Sequence, residues 1–88
     1  METTMENANK AFNEERYDVS FAMFNALAKE GYTDAIYLVG RHYKEGYGVE
    51  ADHEKAISIW KRASKRGSLD AQYALLEITQ TTTQCCKG

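Results

Sequence analysis

Apolar residues recur at helical spacing along most of the chain. Phe21, Phe24, Leu27 and Ala28 lie three, three and one residues apart, so they share one face of a helix. Residues 56–63 repeat this pattern, with apolar or small side chains at positions 56, 59, 60 and 63. The chain contains no proline, the residue that breaks helices most strongly. These patterns predict an all-α protein.

The apolar period and its interruptions predict five helices. They cover about residues 5–15, 18–29, 33–45, 52–66 and 68–79. Residues able to cap a helix N-terminus stand near the starts of all five, namely Thr3, Asp18, Thr33, Asp52 and Ser68, and Glu6 completes a capping-box pattern with Thr3. Gly31 and Gly67 follow two of the ends, where helices often stop in a left-handed residue. Residues 80–88 are rich in threonine and lack an apolar period, so we predict a flexible tail there.

An internal repeat with an offset of 36 residues runs through the chain. Residues 31–39 (GYTDAIYLV) align with residues 67–75 (GSLDAQYAL), and glycine, aspartate, alanine and tyrosine coincide. With the same offset, Phe24 falls on Trp60. A unit of this length that holds two helices predicts helix-turn-helix repeats stacked as a short superhelix. The chain has room for about two and a half such repeats.

A glycine-rich motif joins the third and fourth helices. It reads A-x-x-x-V-G-x-x-Y-x-x-G-x-G-V-x-x-D-x-x-K-A and is formed by Ala35, Val39, Gly40, Tyr43, Gly46, Gly48, Val49, Asp52, Lys55 and Ala56. The motif resembles the Sel-one-like repeat family, which is related to the tetratricopeptide repeats. The chain departs from that family at Trp60, one position after the family's usual aromatic residue, where Ile59 stands instead.

The resemblance implies a single helical-repeat domain over residues 1–79. Its parts are a tetratricopeptide-like helix pair at 5–30, a Sel-one-like repeat at 33–67 and a capping helix at 68–79. Gly40 would allow two helices to approach closely, because any side chain there would hold them apart. Gly46 and Gly48 would let the chain reverse between helices with positive φ.

The resemblance also implies a binding groove, because in tetratricopeptide-like stacks the first helix of each pair lines the concave surface. The residues that it places there are Glu6, Lys10 and Asn13 from the first helix, Asp34, Tyr37, Arg41, Lys44 and Glu45 from the third, and Tyr73 and Glu77 from the fifth. Tyrosine and arginine contribute strongly to protein interfaces, so Tyr37, Arg41 and Tyr73 would anchor a partner. The charged members would select it. The alternative is that the two tyrosines belong to the core.

Four cations cluster near the end of the fourth helix, namely Lys61, Arg62, Lys65 and Arg66. They complement the helix dipole there, and a solvated helix end is the simplest interpretation. A patch for an acidic protein is a second interpretation, and a nucleic-acid patch is a third. The net charge of −2 gives the chain no general attraction to nucleic acid or to an anionic membrane, and we predict neither as a partner.

The sequence contains no arrangement typical of a catalytic, cofactor or metal site. Gly46 and Gly48 lack the preceding strand and the further glycine of a phosphate-binding loop. His42 and His53 are 11 residues apart with no third ligand at helical spacing, and the two cysteines are adjacent. No serine or cysteine has a base placed beside it by the sequence. We therefore predict no enzyme activity, no metal and no cofactor.

Two features bear on location. No apolar run approaches the roughly 18 residues that a membrane span requires. The N-terminal residues METTMENANK are polar and lack the apolar core of a secretory signal. A cytoplasmic location is expected from these features.

The residues favour recognition over chemistry. We predict a protein–protein interaction module, a small adaptor, regulator or inhibitor that holds a peptide or helix of another protein in the concave groove. One alternative is an immunity-type protein that neutralises a specific effector or toxin. Another is a structural subunit that forms a homodimer through its last helix, where Leu75 and Leu76 point in different directions.

Overall fold

Five helices follow one another in the computed structural model of the chain, which describes the backbone of residues 3–87 and the side chains of residues 3–78. They are α1 (Met5–Asn13), α2 (Tyr17–Lys29), α3 (Thr33–Glu45), α4 (His53–Lys65) and α5 (Leu69–Lys87). Residues 3–87 contain no strand. The prediction of an all-α chain with five helices is confirmed.

Each of the first four helices stops at a residue with a left-handed backbone. These residues are Glu15, Gly31, Gly46 and Gly67, with φ of 61°, 101°, 77° and 98°. The next residue donates its N–H to a carbonyl five positions back, as Tyr32 does to Leu27 at 3.2 Å. This bond satisfies a carbonyl that the helix end would otherwise leave unpaired. Glycine suits three of the four positions because it has no Cβ to clash in this conformation.

The end of α1 differs from the prediction. The helix was predicted to reach residue 15 but ends at Asn13, because Glu15 takes the left-handed conformation without being glycine. Arg16 closes the turn by donating its N–H to the Ala11 carbonyl at 2.9 Å. A glutamate at such a position gives no sequence signal of a helix end.

Two of the five predicted N-caps are confirmed, and the cap of α1 is Thr4 instead of Thr3. The side chains of Asp52 and Ser68 each accept the backbone N–H three residues further on, both at 3.1 Å. The predictions for Asp18 and Thr33 are wrong, since α2 begins at Tyr17 and α3 at Thr33 itself. The N-cap positions are instead held by Arg16 and Tyr32, whose side chains make no capping hydrogen bond.

Helix α5 is longer than predicted. Its expected end lay near residue 79, but the helix continues to Lys87 through the segment for which a flexible tail was predicted. Threonine lowers helix propensity without breaking a helix, glutamine is a good helix former, and no glycine or proline occurs between Ser68 and Gly88. The side chains of Cys85 and Cys86 lie outside the described residues.

The helices pack in chain order, each against the next. The core forms two clusters. The first surrounds Phe24 and Leu27 between α1, α2 and α3, and the second surrounds Trp60 between α3, α4 and α5. Phe24 and Trp60, which the 36-residue offset aligns, are 0% and 2% exposed. The sequence repeat therefore corresponds to a repeat in packing.

Helices α3 and α4 approach closely at Gly40. A Cβ added to Gly40 would lie 2.5 Å from Nε1 of Trp60 and 2.6 Å from its Cδ1. The same Nε1 donates a hydrogen bond to the Tyr37 carbonyl at 2.9 Å. The predicted role of Gly40 in a close helix contact is confirmed, and Trp60 is the group that fills the space.

The loop between α3 and α4 packs against the start of α2. Gly48 has φ of 71°, and a Cβ there would lie 2.5 Å from the Tyr17 carbonyl oxygen. The neighbouring Tyr47 ring stacks on the Tyr17 ring with centroids 4.4 Å apart. These backbone and ring contacts account for the glycine that the motif carries at this position.

Candidate interaction groove

An open groove of about 290 Å³ lies between α3 and α5. Its lining residues are Tyr37, Arg41, Lys44, Glu45, Trp60, Ala74 and Glu77. Five of these seven belong to the ten residues that the sequence places in a binding groove. We call this surface the α3–α5 groove.

The helical period of α3 brings its four contributions together. Tyr37, Arg41 and Lys44 are separated by four and three residues, so they lie on one face of the helix. Trp60 supplies the floor from α4, and its ring stacks on the Tyr37 ring with centroids 6.1 Å apart and planes at 26°. Tyr37, for which a place in the core was the alternative prediction, is half-buried and lines the groove.

The other five predicted groove residues do not line it. Glu6, Asn13, Asp34 and Tyr73 are exposed outside the lining. Lys10 lines a separate cavity with Asn7, Ala11, Glu14, Arg16 and Val19. Helix α1 packs mainly against α2, so this side chain is turned towards the α1–α2 contact.

Sequence reasoning missed two lining residues. Trp60 was assigned to the core, and it does belong there at 2% exposure, but it also lines the groove. Ala74 lies three residues before Glu77, so the helical period alone would have placed it on the same face. Its small side chain leaves the groove open.

The groove carries both signs of charge. The Lys44 ammonium lies 3.7 Å from the Glu45 carboxylate, and both side chains are more than a third exposed, so this pair contributes little to stability. Arg41 forms no ion pair with the side chains of residues 3–78, and its guanidinium lies 5.9 Å from the centre of the Phe12 ring. Arg41 is therefore the cation of the groove best placed to meet a carboxylate.

The predicted basic cluster is exposed in the structure. Lys61, Arg62, Lys65 and Arg66 are all exposed on α4 or at its end. The Arg66 guanidinium lies 3.4 Å from the Gly31 carbonyl, and Arg62 lines a second groove on the other side of the molecule.

His42 belongs to α3, and its side chain is buried among aromatic rings. It is 0% exposed, and four ring centroids lie within 6.0 Å of its own, those of Phe12, Phe21, Phe24 and Tyr47. Its Nδ1 lies 2.7 Å from the Leu38 carbonyl, which can only accept, so Nδ1 carries the proton. Its Nε2 then accepts from the Ser20 hydroxyl at 2.8 Å.

The Ser20–His42 pair is one that the sequence did not indicate, since no serine was expected to have a base beside it. Both residues are 0% exposed, so no substrate can reach the hydroxyl. The pair instead joins α2 to α3 inside the core. The Ser20–His42 bond contributes to the complete pairing of the core, since every buried side-chain nitrogen and oxygen among residues 3–78 has a hydrogen-bond partner.

We expect the stability of the fold to fall in mild acid because of His42. Burial lowers the pKa of His42 below its ordinary 6.5, the Arg41 charge adds to this, and the Leu38 carbonyl opposes it. The unfolded chain therefore binds a proton near pH 6.5 that the native imidazole does not. Stability should be full above about pH 6.5 and decrease as the pH falls through that value.

Urea unfolding at pH 7.5 and pH 5.5 measures this effect. The His42→Gln variant should lose less stability between the two pH values than the wild type. The His53→Gln variant, which changes an exposed histidine, should lose as much as the wild type. An equal loss in all three proteins would show that other groups cause the acid sensitivity.

Among the residues that the structure describes, no group of three or more histidine, cysteine, aspartate or glutamate residues could hold a metal ion. None of their helices combines the length and the apolar character that crossing a membrane requires.

No protein-family model matches the chain, and no solved structure matches it. Among curated proteins, the chain is similar to the chitin synthase regulator SKT5 of Saccharomyces cerevisiae, with 31% identity over 65 residues. Those residues make up 74% of this chain and 9% of that protein. The chain thus spans less than a tenth of the length of this relative.

Proposed function

We propose that this chain is a protein–protein interaction module, a small adaptor, regulator or inhibitor that holds a segment of a partner protein in the α3–α5 groove. The observation that carries the proposal is the meeting of Tyr37 and Arg41 in one open groove, where the Tyr37 ring stacks on the buried Trp60 ring. Tyrosine and arginine are among the residue types that most often dominate the energy of an interface.

The shape and chemistry of the groove suit a peptide or helix. Its volume of about 290 Å³ accommodates a few side chains of a partner. The Tyr37 ring is half-buried and stacks on the buried Trp60 indole, which holds it in a fixed orientation, so little entropy is lost when a partner packs on it. Arg41 would pair with a carboxylate of the partner, and the Lys44–Glu45 pair would add polar contacts at the edge.

The likeness to SKT5 supports a regulatory role. That protein's name describes a regulator of an enzyme, and the similar segment is a small part of its length. A segment of this kind fits recognition of another protein better than a reaction of its own. Membership of the Sel-one-like repeat family, which the glycine-rich motif suggests, belongs to the same proposal.

Affinity capture from extracts of the native cells tests the groove. The Tyr37→Ala/Arg41→Ala variant should retain at least about tenfold less of a specific partner than the wild type, because truncating an anchor typically costs about 2 kcal/mol or more. The matched control is Tyr32→Ala/Arg16→Ala, which removes the same side-chain types from exposed positions outside the groove.

Circular dichroism must first show that both variants keep the helical spectrum of the wild type. Retention of the same partner by the wild type and by the groove variant would place the binding surface elsewhere. If the captured protein is a second copy of this chain, the result would instead indicate self-association.

A further inference from the structure

A second groove lies between α2 and α4, on the side of the molecule away from the first. It has a volume of about 300 Å³. Its lining residues are Asn25, Ala28, Lys29, Ile36, Val39, Tyr43, Lys55, Ser58, Ile59 and Arg62. We call this surface the α2–α4 groove.

The helical period shows that the two grooves are separate. At about 100° per residue, Ile36, Val39 and Tyr43 of α3 lie on the side of that helix roughly opposite to Tyr37 and Arg41. The same holds on α4, where Lys55, Ile59 and Arg62 face away from the ring of Trp60 that reaches the α3–α5 groove. Each groove can therefore be occupied or altered without the other.

The α2–α4 groove concentrates positive charge in an acidic chain. The chain has a net charge of −2, yet three lining residues are cations and none is a carboxylate. The cations come from both walls, Lys29 from α2 and Lys55 and Arg62 from α4. A cleft lined by charges of one sign attracts a ligand of the opposite charge.

These cations are exposed and are not neutralised within the described part of the chain. None of the three forms an ion pair with the side chains of residues 3–78. The Lys55 ammonium lies 5.3 Å from the centre of the Tyr43 ring, a contact that orients it without cancelling its charge.

The floor of the α2–α4 groove is apolar. Ile36 and Val39 are buried, with 3% and 5% exposed, while Tyr43 and Ile59 are half-buried. A ligand that fits must therefore bring apolar side chains to the floor and negative charge to the rim.

We propose that the α2–α4 groove binds an acidic amphipathic segment of a protein. Apolar side chains of the segment pack on Ile36, Val39 and Ile59, and its carboxylates meet Lys55 and Arg62. Nucleic acid suits the site less well, since a phosphate backbone has no apolar groups to pack on the floor of the groove. This proposal does not rest on the α3–α5 groove, and with both sites the chain would join two partners.

A displayed library of random 14-residue peptides, selected on the wild-type protein, tests the proposal. Enriched peptides are synthesised with fluorescein and titrated by fluorescence anisotropy. Peptides with several Asp or Glu residues and apolar residues at helical spacing should be enriched. Their affinity should fall about tenfold or more in Lys55→Glu/Arg62→Glu, because reversing both charges replaces attraction by repulsion.

Three variants make the assignment specific. The control Lys10→Glu/Lys61→Glu changes the net charge equally from positions outside the lining, and it should alter affinity less than about threefold. The Tyr37→Ala/Arg41→Ala variant should bind these peptides as the wild type does. The neutral variant Lys55→Gln/Arg62→Gln should give an intermediate loss of affinity. It replaces the charge-reversed variant as the test if that protein does not fold.

Each contrary result is distinct. Equal losses in the Lys55/Arg62 and Lys10/Lys61 variants would mean general charge attraction with no site. Enrichment of basic or uncharged peptides that bind at this groove would contradict the proposal that its ligand is acidic. If none of the selected peptides depended on Lys55 and Arg62 for binding, the α2–α4 groove would not be a binding site.

Discussion

Replacing Trp60 by alanine should lower the free energy of unfolding by about 3–5 kcal/mol, the usual cost of removing a large aromatic side chain from a core. The ring is 2% exposed and lies at the centre of the cluster that joins α3, α4 and α5. The substitution also removes the hydrogen bond from its Nε1 to the Tyr37 carbonyl. Domains of this size are stable by only about 5–15 kcal/mol, so the substitution should remove a large share of the total stability.

Tyr73→Ala provides the matched control, since it removes an aromatic side chain that is 67% exposed. We expect its effect to stay within about 0.5 kcal/mol, as for most surface substitutions. Urea unfolding followed by circular dichroism measures both variants. A loss below about 1 kcal/mol for Trp60→Ala would contradict the central place of this ring in the core.

Replacing Gly40 by alanine should destabilise the fold, although helix propensity favours the opposite result. Alanine is about 1 kcal/mol better than glycine inside a helix. The added Cβ, however, would lie 2.5 Å from Nε1 of Trp60, closer than packed atoms come, so the indole must move. Overpacking of this kind costs about 1–3 kcal/mol, and the Trp60 hydrogen bond is weakened as well. Packing should therefore outweigh propensity.

The same substitution in a Trp60→Leu background separates the two effects. Without the indole the new methyl group has no ring to clash with. Gly40→Ala should then become neutral or stabilising by up to about 1 kcal/mol. Urea unfolding of the four proteins gives the coupling energy. A Gly40→Ala variant more stable than the wild type would show that α3 and α4 are not as close as the structure has them.

The fold was predictable because its main signals are local. Gly31 and Gly67 mark helix ends, and the apolar period marks the buried faces, so three of the five helices were placed within about one residue at each end. The errors are also local. Glu15 ends α1 in a conformation that usually calls for glycine, and the polar residues after position 79 tolerate a helix that they do not favour.

The candidate site was only half predictable. The α3 side of the groove follows from the helical period, which places Tyr37, Arg41 and Lys44 on one face. Which helices lie opposite is decided by packing between distant parts of the chain, and this excluded Lys10 from the groove. For the same reason the α2–α4 groove, whose cations come from two helices 26 or more residues apart, has no local signature.

The internal hydrogen bonds of the core show this limit most clearly. His42 contacts Ser20 across 22 residues of sequence, and neither residue type nor spacing indicates the pair. Trp60 likewise donates to a carbonyl 23 residues away. Such bonds become visible only once α2, α3 and α4 are assembled.

Photo-crosslinking in the native cells tests the central claim, a partner held in the α3–α5 groove, most directly. A p-benzoylphenylalanine residue replaces Glu45 at the exposed edge of the groove, or Asn9 at an exposed position of α1 outside both grooves as the control. Irradiation should attach one protein partner at position 45 and not at position 9, and Tyr37→Ala/Arg41→Ala should abolish the product. A cross-linked partner of equal yield from both positions, or none from position 45, would contradict the groove as the site of binding.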